Sequence, residues 1–168
     1  MNILEQFKKI NTFIFDLDGV LTDGTMLILE NGLQARRMHI KDGFAMQMAI
    51  RHGYHVVVIS GNTSPQIMQR LESLGITEVY MTILDKKAFV EKYIVKAGLE
   101  KEAVLYMGDD LPDIPAKNTV GLFCCPADAV NEAKEIVHYI SPVRCGYGCA
   151  RDVIEKVLKL NNHWAYTV

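Results

Sequence analysis

The chain has four cysteines, Cys124, Cys125, Cys145 and Cys149, and none of them stands in a C-x-x-C pair. That spacing excludes a ribbon-type zinc site and a dithiol redox motif as the organising feature. The expected state is four reduced thiols, with Cys124 and Cys125 closing a buried strand. No apolar run approaches the roughly 18 residues of a membrane-spanning helix. No charge excess exists either: 18 Lys and Arg face 20 Asp and Glu, a formal net charge of -2. A basic field suited to nucleic acid is therefore absent. Met1 to Lys9 is charged and lacks the apolar core of an export signal, so the expected location is cytoplasmic. Internal repeats, low-complexity tracts and linkers are also missing.

What remains is the composition of a globular protein, 49% hydrophobic and 23% charged over 168 residues, enough for one domain with a sizeable core. The expected organisation is a single domain over 1–168, with a small insert near 25–39 and a tail near 161–168.

Apolar runs at Thr12–Asp16, His55–Ile59, Glu78–Met81, Ala103–Met107 and Val120–Cys124 read as buried strands, with Val137–Ile140 as a sixth. Helical patterns follow at Phe44–Arg51, Ser64–Leu74, Lys86–Ala97, Ile114–Asn118, Ala129–Glu135 and Ala150–Leu160. Ser64 and Pro65 suit a helix start, and Gly53, Gly75 and Gly98 suit helix ends. Thr25–Leu29 and Gln34–His39 flank Asn31-Gly32, a hairpin turn signal. Strands alternating with helices predict an α/β fold, a Rossmann-like parallel sheet covered on both faces. Ligands then bind outside the carboxyl ends of the strands. Four polar clusters stand just past apolar runs: Asp16/Asp18, Ser60/Asn62, Asp85/Lys86 and Asp109/Asp110/Asp113.

Asp16 and Asp18 are two apart on a strand end, so they leave it on the same side. Alone, such a pair is more often a solvated turn. Gly108-Asp109-Asp110 alone is equally a turn before a helix N-terminus, where acids are common. Together they suggest a Mg²⁺ site built from Asp16, the backbone carbonyl of Asp18, and Asp109, with Asp110 and Asp113 behind them. Ser60 and Lys86 suit phosphate oxygens, although a turn serine and a solvated helix lysine are the ordinary readings. Lys87 is expected to be the solvated one. A carboxylate beside a phosphoryl group can act as nucleophile, and a second can move the proton. Asp16 would attack, Asp18 would serve as acid and base, and Ser60 and Lys86 would balance charge.

These segments, Asp16-Leu17-Asp18-Gly19-Val20-Leu21-Thr22-Asp23, Ser60-Gly61, Asp85-Lys86 and Gly108-Asp109-Asp110-Leu111-Pro112-Asp113, look like the four motifs of the haloacid dehalogenase (HAD) superfamily of phosphatases. The resemblance covers nearly the whole chain and implies a phosphotransferase. There is no room for a large cap domain, only for the hairpin. The segment His39-Ile40-Lys41-Asp42-Gly43 and the end Cys145-Gly146-Tyr147-Gly148-Cys149-Ala150-Arg151-Asp152 narrow the resemblance. They look like the 3-deoxy-D-manno-octulosonate (KDO) 8-phosphate phosphatases of lipopolysaccharide precursor synthesis. That resemblance implies a homotetramer whose hairpins and tails enclose neighbouring sites. It also implies sugar-acid contacts from His39, Ile40, Lys41, Asp42 and Gly43, with Gly61, Asn62, Lys86 and Arg70 lining the substrate. Arg70 and Lys41 read equally as surface cations, and Asp42-Gly43 as the cap of the following helix.

The chain departs from that family at three positions. Asn62, Gln47 and Tyr147 stand where many members carry arginine, and each change removes a guanidinium suited to a carboxylate. The eight-carbon 8-phosphate is the expected substrate, with a nine-carbon 9-phosphate (ketodeoxynononate or N-acylneuraminate) as the alternative. A catalytically idle assembly partner is a second alternative. Three placements are open for Trp164 and Tyr166 in the tail: covering a neighbour's site, hanging free, or docking on the chain's own core.

Overall fold

The computed structural model describes residues 2–164. Its centre is a parallel sheet of six strands: β1 (Thr12–Asp16), β4 (His55–Ile59), β5 (Glu78–Tyr80), β6 (Val104–Met107), β7 (Leu122–Cys125) and β8 (Tyr139–Ile140). Their order is β5-β4-β1-β6-β7-β8. The chain leaves β1 towards one edge through β4 and β5, then returns to the other side of β1 with β6. The reversal at β1 opens the crevice in which such sheets hold ligands.

All five residues of β1 are buried, because the strand is central and covered on both faces. Phe13 and Phe15 point to one side, with Val56, Val58, Leu105 and Met107. On that side pack α1 (Ile3–Lys9), α2 (Ile40–Arg51), α3 (Pro65–Ser73) and α6 (Cys149–Leu160). Ile14 points to the other side with Val57, Ile59, Tyr106 and Phe123, under α4 (Lys86–Ala97) and the 3₁₀ segment Leu111–Thr119. The short helix α5 (Asn131–Ile136) packs beside the last strands. The predicted class and most elements are present. Cys124 and Cys125 end β7, and all four cysteines are free and buried.

Several boundaries differ from expectation. Helix α1 carries four charged or polar side chains in seven residues, which hid it; it buries Phe7 alone and is capped by Asn2. Helix α2 starts at Ile40, not Phe44, and its cap is His39, whose Nδ1 accepts the Lys41 N–H at 3.3 Å. Asp42 is therefore not the cap. The hairpin pairs over only two residues a side, β2 (Leu27–Ile28) and β3 (Gln34–Ala35), with Gly32 in the left-handed region at the turn. Its apolar side chains are exposed; beyond these pairs, Leu29 N–H donates to Leu33 O at 2.9 Å and an isolated Thr22–Met38 bridge closes the base.

The start of the tail docks on its own chain. Trp164 sets its ring edge-on to Phe44, and the Arg151 guanidinium lies 5.1 Å from its centre. His163 stacks on His52 and lies 2.9 Å from the Tyr54 hydroxyl. Tyr166 lies outside the described residues.

Candidate active site

At the carboxyl edge of β1 the chain enters a single wide turn, Leu17–Leu21, closed by Thr22 N–H donating to Leu17 O at 3.0 Å. Gly19 makes the turn possible. Its φ is +92°, and a Cβ there would collide with the Asp109 carboxylate, so only glycine admits the approach of the β1 and β6 ends. The Thr22 hydroxyl fastens the turn, accepting from Gly19 N–H at 3.2 Å. Asp16 and Asp18 thus leave one strand end on one side, and Asp109 approaches from the next strand.

Carboxylate oxygens of Asp16, Asp109 and Asp113 lie within 4.8 Å of one another. Asp113 is the buried centre of the group. Its Oδ1 accepts from Lys86 Nζ at 2.6 Å and from the Tyr106 hydroxyl at 2.5 Å, and its Oδ2 from the N–H groups of Asp109 and Asp110. Asp110 caps the following segment, accepting from Leu111 N–H at 2.7 Å. Lys86 opens α4 from inside the fold, with Asp85 as the helix cap. Its Nζ also lies 2.8 Å from Asp16 Oδ1. Lys87, one residue on, is half-exposed and faces Glu91.

The electrostatics follow from three acids and one enclosed cation. Burial, then the charge of Asp113, pushes Asp16 up to about 7 against the pull of Lys86. Burial, then Asp16 and Asp113, pushes Asp109 up to about 8. Burial pulls Lys86 down, but Asp16 and Asp113 outweigh it and hold its ammonium above the ordinary value. One lysine does not balance three carboxylates, and a hard divalent cation with oxygen ligands fits the surplus. Asp16, Asp109 and the backbone carbonyl of Asp18 would hold Mg²⁺, with Asp113 bracing Asp109 through its N–H. When bound, the ion supplies charge neutralisation for a phosphoryl group.

A cavity of about 390 Å³ at this edge is lined by Asp16, Asp18, Ser60, Gly61, Asn62, Lys86, Asp109, Asp110 and Asp113, among others. The structure therefore gathers the predicted nucleophile, proton carrier, hydroxyl, cation and metal ligands around one space. Ser60 is buried, and its Oγ accepts the Asn62 N–H at 3.1 Å. The Asn62 amide lies 3.4 Å from Asp18 Oδ2.

Of the residues expected to line the substrate, Gly61, Asn62 and Lys86 border that space, whereas His39–Gly43 and Arg70 do not. His39, Ile40, Asp42 and Gly43 line a separate cavity of about 320 Å³ with Arg70. Asp42 is enclosed, and its Oδ1 accepts the Arg151 N–H at 2.7 Å, tying α2 to the start of α6. Burial pushes its carboxyl up to about 6. Lys41 faces a different surface, with Tyr147 and Arg151. Arg70 also borders a cavity of about 640 Å³ between the hairpin and α3. Sequence reasoning missed Arg36, whose Nε donates to Asp18 Oδ1 at 2.7 Å from the hairpin. The available signal was the alternation of Arg36 and Arg37 along an extended strand.

A central parallel sheet with this acid cluster at its carboxyl edge defines a hydrolase fold of the HAD superfamily, and a HAD superfamily (subfamily III A) structure from Legionella pneumophila superposes with a TM-score of 0.91 at 32% identity, covering 95% of this chain and 87% of that one. The chain belongs to the KDO 8-phosphate phosphatase family within it: the Haemophilus influenzae 3-deoxy-D-manno-octulosonate 8-phosphate phosphatase is 31% identical over 155 residues, 92% of this chain and 86% of the relative. The Moraxella catarrhalis enzyme, solved in complex with magnesium ion, phosphate ion and KDO, superposes with a TM-score of 0.92 at 29% identity, covering 96% of this chain and 93% of that one. No protein-family model matches the chain.

Proposed function

We propose that this chain is a Mg²⁺-dependent phosphatase that hydrolyses KDO 8-phosphate to the free sugar acid and phosphate. The observation that carries the reading is the convergence of Asp16, Asp109, Asp113 and Lys86 on one space beside Asp18. Asp16 attacks phosphorus and forms an aspartyl-phosphate; Asp18 gives a proton to the leaving alcohol and takes one from the hydrolytic water. Ser60 and Lys86 hold the phosphoryl oxygens. The relatives act on, or are bound to, the same sugar acid.

The whole chain acts as one domain, working as a cytoplasmic homotetramer. The exposed apolar side chains of the hairpin, Leu27, Ile28 and Leu33 among them, support assembly, since such patches mark contact surfaces. The segment His39–Gly43 and Arg70 would then contribute to sugar recognition beside a neighbouring subunit. Asn62, Gln47 and Tyr147 favour one further reading, the nine-carbon 9-phosphate, because each lacks the guanidinium that many members of the family carry there. Steady-state phosphate release from both substrates decides: a higher kcat/KM on the eight-carbon ester is expected, and a large preference for the nine-carbon ester would overturn the choice. Sedimentation tests the assembly, with a tetramer expected and a monomer refuting it.

A further inference from the structure

Neighbouring residues of an extended strand point to opposite sides. Arg37 points outward, its side chain 74% exposed, and faces Asp23. The side chain of Arg36 is only 3% exposed. A guanidinium enclosed to that degree requires an anionic partner, and Arg36 Nε meets Asp18 Oδ1 at 2.7 Å. The Thr22 hydroxyl and the Asn62 amide approach the same carboxylate at 3.4 Å each. The hairpin is otherwise tied down sparsely, by the Thr22–Met38 bridge and by Asp23 N–H donating to Arg37 O. Among the described residues, its one enclosed ionic link to the body of the fold therefore ends on a reacting group.

We infer that Arg36 is a positioning residue for Asp18, fixing from the hairpin the direction in which that carboxyl group meets the leaving oxygen. The inference rests on Asp16 and Asp18 acting as nucleophile and acid. As Asp16 Oδ bonds to phosphorus, the ester P–O bond breaks and its electron pair passes to the leaving oxygen. That oxygen takes the Asp18 proton and departs as the alcohol. Asp18 is left as a carboxylate opposite the Arg36 guanidinium. Water then gives its proton to Asp18 as its oxygen bonds to phosphorus and the Asp16–phosphorus bond breaks.

Correct aim of the acid matters in proportion to the basicity of the leaving oxygen. An alkoxide needs the proton; p-nitrophenolate leaves almost without it. The ratio of kcat/KM between an alkyl and a p-nitrophenyl ester thus reads the first step alone. The experiment compares full-length wild type, Arg36→Met, Arg36→Gln and Arg36→Lys with Mg²⁺ on KDO 8-phosphate, glycerol 3-phosphate and p-nitrophenyl phosphate, with folding checked by circular dichroism. The alkyl-to-aryl ratio should fall about tenfold or more in Arg36→Met and Arg36→Gln, and Arg36→Lys, which keeps a cation within reach, should recover part of it. Equal losses on all three esters would refute the inference and make Arg36 a structural tether. A loss confined to the sugar acid would also refute it and make Arg36 a carboxylate contact. Wild type that cleaves glycerol 3-phosphate but not KDO 8-phosphate would overturn the substrate reading alone, leaving the ratio test of Arg36 in force.

Discussion

Lys86 Nζ stands 2.8 Å from Asp16 Oδ1, with the lysine and the aspartate both almost fully enclosed. The same ammonium reaches Asp113 at 2.6 Å, so one cation spans the strand that ends in Asp16, the proposed nucleophile, and the segment that braces Asp109, the proposed metal ligand. Removing it affects both catalysis and stability. Lys86→Met should lower kcat by about 10²–10³-fold, the cost of losing one preorganised charge at a transferring phosphoryl group. Metal-free protein should also lose thermal stability, because two buried carboxylates lose their partner. A kcat within a factor of about three of wild type would exclude the role.

Asp16→Asn should abolish turnover, since a neutral amide does not form the acyl phosphate. Its effect on stability runs the other way. Burial and Asp113 hold Asp16 near 7, so at pH 8 the metal-free wild type carries an ionised carboxylate in a place that disfavours the charge. The asparagine variant escapes that cost, and its metal-free melting temperature at pH 8 should exceed that of wild type. A lower melting temperature there would show that Lys86 outweighs burial.

The same logic sets a pH dependence for the whole cluster. Asp16 at about 7 and Asp109 at about 8 are both raised above the unfolded carboxylate value. Between pH 4 and pH 8 the unfolded chain binds fewer protons than the folded one at these two sites. Their contribution to stability is therefore fully present below about pH 4 and is lost as pH rises through 7 and 8. Calorimetry of metal-free protein should show this decline. Saturating Mg²⁺ should raise the melting temperature more at pH 8 than at pH 6, because the ion competes with protons for the same oxygens. An increment that shrinks towards pH 8 would contradict the site.

Much of this arrangement was legible from local pattern. The buried run Thr12–Asp16, the helix stop at Gly98 and the four polar clusters past apolar runs are short-range signals, and the sheet brought residues of all four clusters to one edge. Legibility failed where a residue's partner lies far along the chain. Arg36 is 18 residues from Asp18; alternation puts Arg36 and Arg37 on opposite sides, but nothing local to the hairpin says which of the two turns inward. Asp42 is 109 residues from its partner Arg151; an Asp-Gly pair before an apolar run resembles a helix cap, but tertiary packing drew the carboxylate inside and left capping to His39. Asp113 was expected behind the metal site, and its full role as a hub for Lys86, Tyr106 and two backbone N–H groups needed the fold.

Gly19 supplies the last test, because it separates the proposed metal-holding role of Asp109 from the proposed nucleophilic role of Asp16. Its backbone occupies the left-handed region with φ +92°, and the absent Cβ leaves room for Asp109 to approach the β1 end. Gly19→Ala introduces both a strained backbone, costing on the order of 1 kcal/mol, and a methyl group where the Asp109 carboxylate lies. Asp109 must then move away from Asp16, while the Lys86–Asp16 contact does not involve Gly19. Weakened Mg²⁺ binding by isothermal titration, with turnover partly recovered at high Mg²⁺, is the expected outcome. Unchanged Mg²⁺ affinity would show that Asp109 does not need this approach to hold the ion, and would remove it from the metal site.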